Sequence, residues 1–182
     1  MTNDVLEVVV EIPKGSRNKY EMDHRTHRIR LDRVLHSSVH YPTDYGFVPD
    51  TLADDGDPLD ALVIVEEGTF PGCSVPARPI GLLHMADEHG IDIKLLCVAA
   101  GDPRFDTIKE LTDLAPHWLR EIEIFFETYK QLEDQKEVSV GGWEGRVAAL
   151  AATEACRVRA RQAREPDLRR SDRSPYHERG SV

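Results

Sequence analysis

Asp54-Asp55-Gly56-Asp57-Pro58-Leu59-Asp60 places four carboxylates within seven positions, directly ahead of the apolar run Ala61-Leu62-Val63-Ile64-Val65. At an effective dielectric of about 20, two unit charges about 4 Å apart repel by roughly 4 kcal/mol. A fold tolerates such a cluster when the acids splay into water or when cations neutralise them. Gly56 and Pro58 make the stretch a tight turn instead of a helix, so the side chains can converge on one point. A solvated acidic turn is the bland reading. The sharper one is a site for a hard divalent ion such as Mg²⁺, Mn²⁺ or Ca²⁺, which takes oxygen ligands, at the mouth of a buried strand. An EF-hand is excluded. Pro58 lies inside the would-be loop, Asp60 stands where its glycine is required, and a strand follows in place of a helix.

The chain has 182 residues, enough for one domain with a real core. Its 40% hydrophobic and 31% charged residues describe a soluble globular protein. No apolar run approaches the roughly 20 residues that span a bilayer, and the N-terminus lacks a signal-peptide pattern. Cys73, Cys97 and Cys156 are too few and too scattered for a disulfide framework or a zinc site, which fits a reducing cytoplasm. A net charge of −10 argues against nucleic-acid or membrane-surface binding. If the substrate is an anion, metal ions would have to invert the local field.

The first two-thirds read as strands and turns: Leu6 to Ile12, His27 to Leu35, Leu62 to Val65, Ile80 to Met85 and Ile91 to Val98. The stretch around Tyr41-Pro42 and Tyr45-Gly46 is turn-rich. Trp118, Ile122, Phe125, Tyr129 and Leu132 recur at helical spacing, with Pro116 suited to the first turn. Glu144 to about Gln162 is an Ala-rich amphipathic helix. The expected fold is α+β and mainly β, a small barrel with two main helices packed outside. Residues 1–164 form a single domain, and 165–182 read as a disordered tail.

Several charges stand on strand faces that should be buried. Asp60 is in phase with Leu62 and Ile64, Asp92 and Lys94 with Leu96 and Val98, Arg33 with Ile29 and Leu31, and Glu11 with Val9. Each alone reads as a strand end reaching solvent. Together, acids and bases inside a barrel are satisfied only by one another or by a shared ligand, and metal plus phosphate fits that chemistry. Asp87 and Asp92 flank a second acidic hairpin. Lys130, beside Tyr129, would sit at the edge of the helical stripe, within reach of the barrel mouth.

Glu11-Ile12-Pro13, Lys19-Tyr20-Glu21, Asp32-Arg33, Tyr41-Pro42, Tyr45-Gly46, Asp55-Gly56-Asp57-Pro58-Leu59-Asp60, Asp87-Glu88, Asp92, Lys94 and Tyr129-Lys130 follow one order and spacing. The set resembles the soluble family I inorganic pyrophosphatases from about residue 5 to 160. The resemblance implies a five-stranded OB-like barrel, hydrolysis of pyrophosphate to two orthophosphates, several Mg²⁺ per site (with Mn²⁺ or Zn²⁺ able to stand in), a cytoplasmic location and a homohexamer. It assigns Asp55, Asp60, Asp87 and Asp92 to the metals and Asp57 to the general base. Lys19, Arg33, Lys94, Tyr129 and Lys130 would bind the substrate. Tyr45 would sit against the reacting phosphate or the base. Glu11, Glu21 and Tyr41 would stand behind, with Glu11 and Glu21 holding waters or orienting the lysines. His24 and His89 are similar to histidines of actinobacterial members. The polar stretch Leu35 to His40 and the tail depart from the family pattern.

Two other readings compete. A non-catalytic OB-type module binding oligonucleotides needs stacking aromatics and a basic groove, which 7% aromatic content and the acidic balance oppose. A nucleotide-directed metal phosphohydrolase needs a base-reading pocket, for which the sequence offers no feature.

Overall fold

The structure, a computed structural model, describes residues 4–87, 90–133 and 138–171, with side chains for 4–86, 90–133 and 138–164. Eight strands and two α-helices follow one another among these residues: β1 (Leu6–Ile12), β2 (Asn18–Asp23), β3 (Arg28–Val34), β4 (Asp44–Phe47), β5 (Asp60–Ile64), β6 (Ser74–Asp87), β7 (Gly90–Ala99), α1 (Pro116–Thr128), β8 (Ser139–Gly145) and α2 (Arg146–Ser171). Strands β1, β4, β5, β7 and β6 pair in that order, and β6 pairs back onto β1, so five strands close on themselves. Closure removes the open edges that a sheet would otherwise present. Strand β6 is long enough to serve two partners on one side: Ser74 to Ala77 face β1, and Gly81 to Ala86 face β8.

Alternation divides the ring's side chains between two apolar clusters. Leu62, Ile64, Leu96 and Val98 pack with Ile122, Phe125 and Phe126 of α1. Ala61, Val63, Leu95 and Cys97 pack with Ala149 and Cys156 of α2. Asp60, Asp92 and Lys94 are in phase with the first set and so belong to the α1 side.

Four expectations change. The turn-rich stretch after Tyr41 contains a fully buried strand, β4. Gly46 makes this possible, because a Cβ there would run into the Val9 carbonyl of β1. Asp44, at the start of β4, is completely buried and accepts the Lys14 amide at 2.8 Å and the Thr69 hydroxyl at 2.7 Å. Second, β3 lies outside the ring, paired only with β2, and Leu31 is 55% exposed. The Ile29/Leu31 face is therefore not a buried one, and Arg33 is no charge in a core. Third, α1 ends at Thr128 with Tyr129 as its C-cap, so Leu132 leaves the stripe and is exposed. Fourth, Glu144 belongs to β8, and α2 starts at Arg146. Cross-strand bonds to β6 outweigh the local helical pattern there.

Helix α2 continues to Ser171, beyond the boundary expected at 165, and residues 172–182 lie outside the described residues. A seam of Ala149, Thr153, Cys156 and Ala160 is buried along it; these short side chains let the helix sit close to β6.

Candidate functional site

Parallel pairing of β5 with β7 sets Asp60 directly beside Lys94, with Asp92 two residues back on the same face. Lys94 is 4% exposed, yet its ammonium is fully engaged. It donates to Asp60 Oδ2 at 2.6 Å, Asp92 Oδ2 at 2.8 Å and the Tyr45 hydroxyl at 2.9 Å. The rings of Tyr45 and Phe126 lie 5.4 Å and 5.7 Å from it. Burial alone would lower the Lys94 pKa; Asp60 and Asp92 override it and hold the amine well above an ordinary lysine. Tyr45 donates its hydroxyl to Asp60. Burial and the Asp60 charge push the Tyr45 pKa far up, so it stays a neutral donor. Tyr45 thus touches Asp60 and lines the same cleft as Asp57. Tyr41 packs behind it, ring centroids 5.5 Å apart.

The acidic turn forms one wall of a cleft of about 260 Å³. Asp57, Pro58 and Asp60 line it from the turn, Tyr45 and Phe47 from β4, Glu11 and Ile12 from β1, and Lys19, Glu21 and His24 from the β2–β3 hairpin. Asp57 is exposed at the rim. Burial raises its pKa first, then the charges of Asp55 and Asp60, while His24 pulls it down. Asp92 is likewise raised by burial and by Asp60 and Asp55, against Lys94. Asp55 and Asp92 do not line this cleft; they border a crevice of about 30 Å³ behind the turn. Asp87 ends β6 opposite Gly90, while its side chain and residues 88 and 89, including His89, lie outside the described residues.

A β-bulge re-aims Glu11. Between Val10 and Ile12 the register slips, leaving Glu11 unpaired and moving Ile12 into the cluster opposite to that of Val8 and Val10. Glu11 accepts the Met22 amide at 2.7 Å, tying hairpin to ring. Burial raises the Glu11 pKa from an ordinary 4.5 to about 7, with Asp60 adding to it and the Met22 bond and Lys19 opposing. Between those values the native state keeps a proton that the unfolded chain has lost, so stability falls as pH rises through this window. In metal-free buffer Glu11→Gln should be the more stable protein at pH 8, by about 3 kcal/mol, and should match wild type near pH 4. Tm measured against pH checks this; curves running parallel from pH 5 to 8 would refute it.

The remaining cations gather around the hairpin and the end of α1. Lys19 is paired with Glu21 and lies 3.4 Å from Asp32. Arg33 contacts Asp32 at 2.6 Å, and its Nε donates to Glu133 at 2.8 Å. A second bulge, between Lys19 and Tyr20, sets Arg33 opposite Lys19. Tyr129 and Lys130 are both buried, with the Lys130 ammonium 5.6 Å from the Tyr129 ring. Glu133 was not legible as a site residue, although it stands one helical turn after Lys130. Its buried carboxylate fixes the direction of Arg33 from an element 100 positions away. Glu133→Gln should raise the KM for the anionic substrate about tenfold with a smaller change in kcat, through loss of a charge-assisted bond. Steady-state kinetics with an unchanged KM would overturn that.

Among the described residues no three carboxylate, imidazole or thiol groups converge closely enough to cage one ion. Lys94 stands between Asp60 and Asp92. The donor set still fits hard divalent ions. It is oxygen-only, and Asp57 and Asp92, raised first by burial, are pushed further up by neighbouring carboxylates that a cation would offset.

A closed five-strand ring, a lysine buried between strand-borne aspartates and a cleft lined by four carboxylates and Lys19 suit an OB-like barrel that handles an anionic phosphate ligand together with divalent ions. Comparison with known proteins narrows the class. The family model described as inorganic pyrophosphatase matches residues 8–161. A Streptomyces coelicolor inorganic pyrophosphatase is 55% identical over 148 residues, covering 81% of this chain and 91% of its own. One from Synechocystis is 53% identical over 152 residues, 84% of this chain and 89% of that one. The solved inorganic pyrophosphatase of Thermus thermophilus superposes with a TM-score of 0.86 at 48% identity, covering 88% of this chain and 93% of that one. The chain belongs to the inorganic pyrophosphatase family, whose members use a divalent metal.

Proposed function

We propose that this chain hydrolyses inorganic pyrophosphate to two orthophosphates with Mg²⁺ as the divalent ion. The observation that carries the reading is Lys94, buried and tied to Asp60, Asp92 and Tyr45 beside the cleft. It places a permanent cation inside an acid ring, where an anionic substrate and divalent ions can be held together. By family kinship, Asp55, Asp60, Asp87 and Asp92 would hold the ions. When bound, the ions lower the pKa of a water molecule and neutralise substrate charge.

The residues divide the remaining work. Asp57, at the cleft rim, takes the proton of the attacking water. The water oxygen bonds to one phosphorus, the bond from that phosphorus to the bridging oxygen breaks, and the other phosphate leaves. Lys19, Arg33, Tyr129 and Lys130 bind the phosphoryl oxygens and steady the charge that spreads over them. Lys94, its three donors held by Asp60, Asp92 and Tyr45, would turn to them once ions take up those carboxylates. Tyr45 gives its one O–H to Asp60 and keeps that carboxylate oriented at the cleft. Glu11 and Glu21 hold Lys19 and the hairpin in register with the ring.

Phosphate release from pyrophosphate and from ATP, each with Mg²⁺ and with a chelator, tests the reading. Release should be fast only from pyrophosphate with Mg²⁺. Equal rates on ATP would favour a nucleotide-directed enzyme instead. By family kinship we also read residues 1–164 as the catalytic domain of a cytoplasmic homohexamer. No helix among the described residues is long and apolar enough to cross a membrane. Exposed Phe70 and Leu132 offer apolar surface for subunit contacts. Light scattering should give six times the chain mass of 20.6 kDa.

A further inference from the structure

The acidic turn is held from behind by α2. Leu52, on its incoming limb, has two peptide groups tied to that helix. Its N–H donates to the Cys156 carbonyl at 3.0 Å, and its carbonyl accepts from the Arg159 guanidinium at 2.6 Å. The same guanidinium nitrogen lies 3.2 Å from Asp54 Oδ1. One side chain therefore links the turn to an element 107 positions later.

Other bonds fix the turn's base and its internal shape. The Val48 amide donates to the Leu59 carbonyl at 2.9 Å, and Thr51 Oγ1 bridges the Val48 carbonyl and the Leu59 amide at 2.6 and 2.8 Å. At the tip, the Ala53 amide donates to the Asp57 carbonyl at 2.7 Å, and the Asp57 amide to Asp55 Oδ1 at 3.0 Å. These bonds make the tip a unit of its own without setting its tilt relative to the ring. The tie to α2 sets that tilt. Behind it, Asp55, Asp92, Cys156 and Arg159 border the 30 Å³ crevice, room for about one water.

We propose that Arg159 is a positioning residue for the acidic turn: by gripping the Leu52 carbonyl and Asp54 it sets the direction in which Asp55 and Asp57 face. Its positive charge also offsets part of the repulsion among the turn's four carboxylates. Global stability is a minor part of the role. The Arg159 side chain is 35% exposed and that of Asp54 is 83% exposed, and exposed pairs contribute little to folding. The consequence falls on ligand geometry, where supporting contacts commonly matter 10- to 100-fold in metal affinity or activity.

This inference rests on the reading of Asp55 and Asp60 as metal ligands, and its test separates the two. Mg²⁺ binding to the full chain is measured by calorimetry without substrate, beside Tm and steady-state kinetics, for wild type, Arg159→Met and Arg161→Met. Arg161 is an exposed neighbour on the same helix, paired with Glu154. Arg159→Met should weaken Mg²⁺ binding about tenfold, with a near-normal Tm and an unchanged KM for pyrophosphate at saturating Mg²⁺. Arg161→Met should match wild type. Should the methionine variant prove unstable, Arg159→Gln is expected to show the same shift in metal affinity. Equal Mg²⁺ affinity in wild type and the Arg159 variants, or an equal loss in Arg161→Met, would overturn the role of Arg159 alone. A wild type that binds no divalent ion would overturn the site reading as well.

Discussion

Replacing Asp57 by asparagine should lower kcat by about 10²–10⁴ while leaving Tm and the metal requirement close to wild type. The direction follows from where the turn puts this carboxylate. It stands exposed at the rim of the cleft, beside Asp60, instead of in the buried knot around Lys94. Burial, then the charges of Asp55 and Asp60, raise its pKa above that of an ordinary aspartate, which makes it the stronger proton acceptor. Asparagine preserves shape and removes basicity. Kinetics over pH 5–9 and over a range of Mg²⁺ concentrations check the assignment. Recovery of kcat at high Mg²⁺ would make Asp57 a metal ligand and not the base.

Lys94→Met should cost about 3 kcal/mol in metal-free buffer, roughly 6–12 °C of Tm for a chain of this length, and should abolish most activity. Methionine fills a similar volume but leaves Asp60 and Asp92 facing each other without a cation. Removing one partner of a buried charge cluster costs more than the cluster itself contributes, because the remaining charges stay desolvated. The two carboxylates are partly open to water, which holds the loss near the lower end of the roughly 3–5 kcal/mol that breaking a buried pair costs. Excess Mg²⁺ should restore part of the Tm by binding the freed carboxylates, without restoring turnover. A metal-free Tm equal to wild type would refute the structural half of this claim. Because Asp60 and Asp92 hold the ammonium pKa up, the contribution of Lys94 persists from neutral pH up to the ordinary lysine range and is lost at strongly alkaline pH. It also shrinks at acid pH as Asp92, whose own pKa is raised, takes up a proton.

Legibility in the sequence followed the range of the interaction. Asp60, Asp92 and Lys94 stood out because strand alternation has a period of two, and a charge in phase with Leu62 or Leu96 breaks it visibly. The same rule misread Arg33, whose strand alternates but lies in a separate hairpin with Leu31 exposed. Glu11 was marked as a misplaced charge; the bulge that re-aims it has no signal in composition. Strand β4 was hidden by residues that usually make turns, and the end of β8 at Glu144 was taken into the helix that follows it. Glu133 and Arg159 were missed because a carboxylate after a helix, or an arginine on one, acquires meaning only from the distant group it grips.

Sequence by itself determined the chemistry: an oxygen-donor turn of four aspartates, a set of cations in fixed order, and a kinship that the comparisons bear out. Local patterns suffice for this, since residue types and short-range periodicity are written along the chain. Tertiary structure decided which charges meet. The parallel β5–β7 pairing brings Asp60 to Lys94, two bulges turn Glu11 and Arg33, and α2 reaches back to the acidic turn. These contacts join residues tens of positions apart, and closure of the ring, which no local propensity encodes, selects them.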